Sequence, residues 1–361
     1  MRAAAFWLSM VLACGAGGAA GASCHAVGVV DGQQGISLRG IEDLVLDEPR
    51  SRLILSVHDR DAETDPSRRA ANGLFEVPLS AFDTADTVAA RALVRSVDDI
   101  TLRPHGIDLR ANPDGSADLL VINHRVHRVA VDAAGRPGTA VERFRIAADG
   151  TLTHRSTIAR RDLCPANDLS WSGPEEAIVS LDRLACSGWR RAVELALSQD
   201  HGALVRLDLV TGEMTRVAGD LPFPNGVAVA DNHVAVALTR GARIEYRAPQ
   251  GGALLSTVAL PGGPDNISLG ADGDLIVAVH PSLFAYALYL SPYAFWVRDA
   301  PTRILRVSGG ACETLVDDPD GTGISGASVA VVAGDRIIAG AAFDAGLMVC
   351  DLPLRGAPCE P

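Results

Sequence analysis

Six short runs of one kind recur along this chain: LILSVH from Leu53, LLVINH from Leu119, AIVSLD from Ala177, VAVALT from Val234, LIVAVH from Leu275 and IIAGAA from Ile337. Each is too short for a helix and is dominated by apolar and β-branched residues, the pattern of a buried strand. Their starts lie between 41 and 66 residues apart. A constant strand with connections of variable length points to a repeat architecture rather than one continuous sheet.

A second element stands upstream of each run: EDLVL, HGIDL, NDLSW, NGVAV, DNISL and GASVAV. The links between the two are rich in Gly, Asp, Asn and Pro, which is hairpin chemistry. In an antiparallel hairpin the start of the first strand lies beside the end of the second. The polar pairs Glu42-Asp43, His105-Gly106, Asn167-Asp168, Asn225-Gly226 and Asp265-Asn266 are therefore expected to share a sheet end with His58, His124, Asp182, Thr239, His280 and Ala342. Packed radially, six such units make an all-β, six-bladed β-propeller with both sets of residues at one mouth of a central channel. Two β-sandwiches are the alternative, but they give no reason for six matched tips.

Helical periodicity is scarce, and its best candidate is Gly188 to Ser198, where Trp189, Val193, Leu195 and Ala196 form one stripe. With 361 residues, 48% hydrophobic, the chain can bury a substantial core as a single domain from residue 23 to 361. The net charge of -12 and the scattered basic doublets exclude nucleic acid as a partner, which requires a clustered basic face. Residues 1–22 read as an export signal: Arg2, an apolar core from Ala3 to Ala13, and small residues up to Ala22. Lipoprotein processing at Cys14, after Val11-Leu12-Ala13, is the rival reading. Cleavage near Ala22 leaves six cysteines (Cys24, Cys164, Cys186, Cys312, Cys350 and Cys359), an even number that suits disulfides in an exported chain.

Taken singly, each polar pair reads as an ordinary turn or edge. Their common place in every repeat is what argues for chemistry. A hard cation such as calcium takes oxygen from carboxylates, amides and backbone, and successive strand residues point to opposite sides. Glu42, Asn167, Asn225, Asp265 and Asn266 can then serve one ion, and Asp43 and Asp168 with a backbone oxygen a second. No G-x-S-x-G elbow and no H-E-x-x-H motif compete with this reading.

The segments GIEDL, PHGID, LLVINH, PANDLSW, PNGVAV, PDNISL, GDLIVAVHP and IIAGAAFDAGLMVCDL resemble, in order, those of the paraoxonase/arylesterase family over most of residues 24 to 351. The resemblance implies a six-bladed propeller with two central calcium ions that hydrolyses lactones and aryl esters. By motif, Glu42, Asn167, Asn225, Asp265 and Asn266 would bind a catalytic calcium. Asp43, Asp168 and the carbonyl of Ile107 would bind a structural one. His105 resembles the family's general base, His124 its dyad partner and His280 a pocket wall. It also implies a Cys24–Cys350 disulfide. Pairing of the other four cysteines stays open, with Cys164–Cys186 and Cys312–Cys359 as one arrangement.

The chain departs from the family at Ser180-Leu181-Asp182-Arg183, where the family carries Asn-Asp-His, so Asp182 and Arg183 are expected in the substrate pocket. The stretch Leu283–Val297 holds three of the four tyrosines. It reads as a loop across the propeller face, a hydrophobic lid, or a patch touching membrane or lipid. The implied mechanism has calcium polarising a lactone or ester carbonyl while His105 deprotonates water, with Glu42 or Asp265 as the alternative base. A non-catalytic, calcium-stabilised binding propeller and a sugar-lactone hydrolase are the competing readings.

Overall fold

The computed structural model describes residues 22–359 except 64, 66, 84, 127–129, 187–192, 195–198, 250–251, 292, 295 and 354. Residues 1–21 of the export segment, including Cys14, lie outside the described residues. So does the helical candidate, apart from Val193 and Glu194, which are helical.

The strands fall into antiparallel four-stranded units, each beginning at its own innermost strand. These inner strands are Ile41–Asp47, Pro104–Ala111, Ala166–Gly173, Pro224–Ala230, Gly263–Leu269 and Ala327–Ala333. Each is followed by one of the recurrent apolar runs: Arg52–Val57, Ala117–Asn123, Glu176–Leu181, His233–Leu238, Leu275–His280 and Arg336–Ala341. The inner strands touch in cyclic order, the sixth meeting the first, so the units form a closed ring rather than two stacked sandwiches.

Packing follows the same cycle. Among the described residues six separate hydrophobic clusters fill the six junctions. One joins Ile54 and Leu74 to Leu119 and Val121, all fully buried. Burying each such side chain contributes about 1.5–3 kcal/mol. The apolar faces of adjoining sheets thus meet each other, which is why both faces of these strands are hydrophobic and period-2 contrast is weak.

The ring is closed by the chain's own beginning. The strand Cys24–Asp31 pairs antiparallel with Leu347–Cys350 of the sixth unit and then parallel with Thr87–Ala90 of the first. Cys24 and Cys350 are register partners and disulfide-bonded, with Cα atoms 4.0 Å apart. Cys164–Cys186 and Cys312–Cys359 are also bonded. The second of these holds the terminal Ala357–Pro358 strand against the outer strand of the fifth unit. Three disulfides are the usage of a protein that matures in an oxidising compartment.

Every inner strand shares one irregularity. The ladder to the next strand slips between Ile41 and Asp43, Pro104 and Ile107, Ala166 and Leu169, Pro224 and Val227, Pro264 and Ile267, and Ala327 and Val329. In each case the inner strand carries one extra residue, a β-bulge. The polar pairs sit in these bulges. Asn225-Gly226 is therefore strand rather than turn, and its glycine has a packing reason: a Cβ on Gly226 would stand 2.6 Å from the backbone nitrogen of Ile267 in the next unit. A Cβ on Gly106 would likewise collide with Asp168. Glycine is required because neighbouring inner strands approach too closely for any side chain.

Candidate active site

At one mouth of the channel lies a cavity of about 390 Å³ lined by both sets of strand-end residues. Glu42, His105, Asn167, Asn225 and Asp265 reach it from the bulges, and His124, Asp182, Thr239, His280 and Ala342 from the ends of the second strands. Arg183 lines it too. His58 and Asn266, expected at the same place, are buried but do not line the cavity. His58 pairs with Glu63 at 2.9 Å, and Asn266 donates from Nδ2 to the backbone oxygen of Glu42 at 3.1 Å.

Within each bulge the two members of a pair point to different surroundings, as successive strand residues do. Glu42 faces the cavity, where its carboxylate meets the Arg60 guanidinium and stands 2.7 Å from His105 Nδ1. Asp43 turns the other way, accepting from the amides of Ile107 at 2.7 Å and Leu44 at 2.9 Å. Asn167 lines the cavity, whereas Asp168 accepts from the amides of Val227 at 2.7 Å and Leu169 at 2.8 Å. Asp43 and Asp168 thus each fasten their strand to the next one. Asp108 repeats the device against Ser170 and Trp171, and no sequence signal marked it beyond its place after His105-Gly106. It is the Ile107 amide, rather than its carbonyl, that engages Asp43 in this structure.

Burial sets the electrostatics. Desolvation pushes the Asp43 carboxyl up to about 7 against the opposing pull of the Ile107 and Leu44 amides. Asp168 is raised well above the carboxylate range by burial and by the nearby Asp43. Burial, then the Arg60 charge, pushes His105 down to about 3, which keeps its imidazole neutral and weakens it as a base in the metal-free site. The His105 and His124 rings lie side by side, centroids 5.0 Å apart at 52°, and His124 Nδ1 is 3.1 Å from Thr139 Oγ1. His280 Nε2 meets Asp265 Oδ2 at 2.8 Å.

The Leu283–Val297 stretch begins not as a loop but as a seven-residue helix, Leu283–Tyr289, with Ser282 Oγ accepting from the Ala285 amide. Tyr286 stacks on His280, ring centroids 3.8 Å apart at 15°. Leu283, Tyr286 and Leu290 form the apolar wall of the cavity, while Phe284, Tyr293 and Trp296 face outward. The helix spans too few turns to register as helical periodicity. Arg60 also escaped the sequence, because it sits in a connection and reaches the site only through the fold. Among the described residues no helix is long and apolar enough to cross a membrane.

The donor set suits a hard cation. Side-chain oxygens of Glu42, Asn167, Asn225 and Asp265 line the cavity, and the buried Asn225 Oδ1 has no hydrogen-bond partner. Two of these four donors are amides. That is the oxygen chemistry calcium takes, and it accounts for why no group of three or more His, Cys, Asp or Glu among the described residues forms a metal cage. A nearby cation would favour the charged forms of the buried Asp43 and Asp168.

Two solved structures match nearly the whole chain. A virginiamycin B lyase from Staphylococcus aureus gives a TM-score of 0.50 at 11% identity, covering 92% of this chain and 99% of that one. A gluconolactonase-like protein gives 0.51 at 14% identity, covering 94% of each. Together with the closed ring, these likenesses define an all-β, propeller-like protein with its candidate site at the channel mouth. The chain belongs to the arylesterase family, whose model matches residues 28–352. Serum paraoxonase/arylesterase 1 of Rattus norvegicus is 26% identical over 269 residues, 71% of this chain and 70% of that protein.

Proposed function

We propose that this chain is an exported, calcium-dependent hydrolase of lactones and aryl esters, built as a six-bladed β-propeller. One observation carries the reading: the oxygen donors Glu42, Asn167, Asn225 and Asp265 converge with His105 and His124 in a single cavity. Family membership supports the same class of chemistry. Calcium bound at these donors would supply Lewis-acid polarisation of an ester carbonyl.

The protein's own residues do the rest. His105 takes a proton from water at the cavity, and His124, tied to Thr139, supports its ring. Asp43 and Asp168 fix the spacing of the inner strands and with it the donor geometry. The apolar wall from Leu283, Tyr286 and Leu290 excludes water from the substrate body.

A second assignment of the base rests on the 2.8 Å Asp265–His280 contact, a carboxylate and imidazole at the same cavity. One set of assays separates these readings. Phenyl acetate, an aliphatic lactone and gluconolactone are tested with and without chelator. Chelator-sensitive turnover of the first two is expected, and its absence on all three returns the chain to a ligand-binding ring. His105→Gln should lower kcat by about 10²–10⁴ while leaving calcium affinity, read by calorimetry, in place. Unchanged kcat in that variant with a comparable loss in His280→Gln would move the base to Asp265.

A further inference from the structure

Three carboxylates (Glu42, Asp182, Asp265) and three guanidiniums (Arg60, Arg183, Arg240) line the cavity. Arg60 is matched by Glu42, and Arg183 by a two-point contact with Asp182. Burial works against the Arg183 charge, but Asp182 outweighs it, so that guanidinium is already committed. Arg240 is different. Among the described residues no carboxylate lies within 4.0 Å of it, and its hydrogen bond goes to the Gln199 backbone oxygen at 3.1 Å.

The groups around Arg240 are arranged to keep it in place. Two guanidiniums approach the Phe223 ring, Arg240 Cζ at 5.2 Å and Arg183 Cζ at 5.6 Å from its centroid. Phe223 adopts φ 59, a left-handed backbone that a bulky side chain rarely occupies. The backbone hydrogen bonds of Thr239 to Phe223 and of Arg240 to Pro222 hold this corner against the end of the fourth unit's second strand. Arg240 thus lines the cavity beside Phe223 with no carboxylate partner among the described residues, and the wall formed by Leu283, Tyr286 and Leu290 lines the same space.

We propose that the substrates of this site are carboxylate-bearing lactones or aryl esters, whose anionic group is held by Arg240 beside Phe223 while the hydrocarbon body packs on the Leu283–Leu290 wall. The proposal rests on the hydrolase reading for the reacting end, but the anion subsite stands on Arg240 itself. A guanidinium fork matches a carboxylate with two parallel hydrogen bonds, which a neutral ester group cannot reproduce.

The test compares 4-carboxyphenyl acetate with its methyl ester. The wild-type protein should prefer the carboxylate, and Arg240→Gln should reduce that preference roughly 10- to 100-fold, mostly through KM. Arg240→Lys, which keeps the charge and loses the fork, should recover part of it. Equal rates on both esters in the wild type, or an unchanged preference in Arg240→Gln, would overturn the proposal. Benzoate binding by calorimetry gives a reading that needs no turnover. If neither ester is cleaved yet Arg240→Gln abolishes benzoate binding, the hydrolase reading fails and the anion subsite stands. Loss of turnover together with identical benzoate binding in both proteins removes both. Thermal melts of the variants confirm that they fold.

Discussion

Glu42 and Asp43 are neighbours in sequence and live in different worlds, and the same is true of Asn167 and Asp168. The first of each pair faces a cavity where its partners are exchangeable side chains. The second is buried, and its partners are backbone amides of its own and the next inner strand. Strand alternation makes the separation, at a β-bulge repeated in all six inner strands. The lesson is that a ring of sheets can hold two layers of polar groups with opposite duties, one open to ligands and one fastening the ring.

That contrast can be broken in graded steps. The largest effect should come from the close approach that the fastening layer requires. Gly226→Ala places a Cβ against the Asn266-Ile267 backbone and should cost about 3 kcal/mol or more, read as a fall in the urea midpoint. Next, Asp168→Ala removes the acceptor for the Val227 and Leu169 amides and should cost about 1–3 kcal/mol. Retained stability in that variant would mean that the carboxylate is not a fastener.

The smallest effect is a trend with pH. Asp43 and Asp168 have folded-state pKa values above their unfolded ones, so the native state binds more protons above pH 4, for Asp43 up to about 7. Their contribution to stability therefore rises as pH falls through that window and is lost as pH rises. In chelator-treated protein the melting temperature of wild type relative to an Asp43→Asn variant should increase from pH 8 to pH 5. Adding calcium should flatten that difference, because a cation removes the penalty of holding both carboxylates charged.

The ring itself was legible because each unit repeats a strand of distinctive composition, and the strand ends followed from hairpin geometry alone. The members of the cavity layer were legible for the same reason: Glu42, Asn167, Asn225 and Asp265 occupy matching positions. The bulges were not, since one extra residue leaves no mark on composition, and they explain why Asn225-Gly226 resembles a turn. Arg60, Phe223 and Arg240 lie in connections, whose destinations depend on tertiary packing rather than on local pattern. Asp108 looked like an ordinary polar position in an alternating strand. The helix Leu283–Tyr289 is stabilised by its Ser282 cap and by Tyr286 packing on His280, neither of which periodicity can detect.

The strand Cys24–Asp31 has a consequence for how the molecule is made. Its partner Leu347–Cys350 lies at the far end of the chain, and the two cysteines are separated by 326 residues. The two strands must therefore meet across almost the whole ring, at a loop-closure cost that grows only slowly with this length. Until then, the first and sixth units have no common edge. Closing that seam joins the first unit to the sixth, so a molecule lacking either strand would leave the circle open between them.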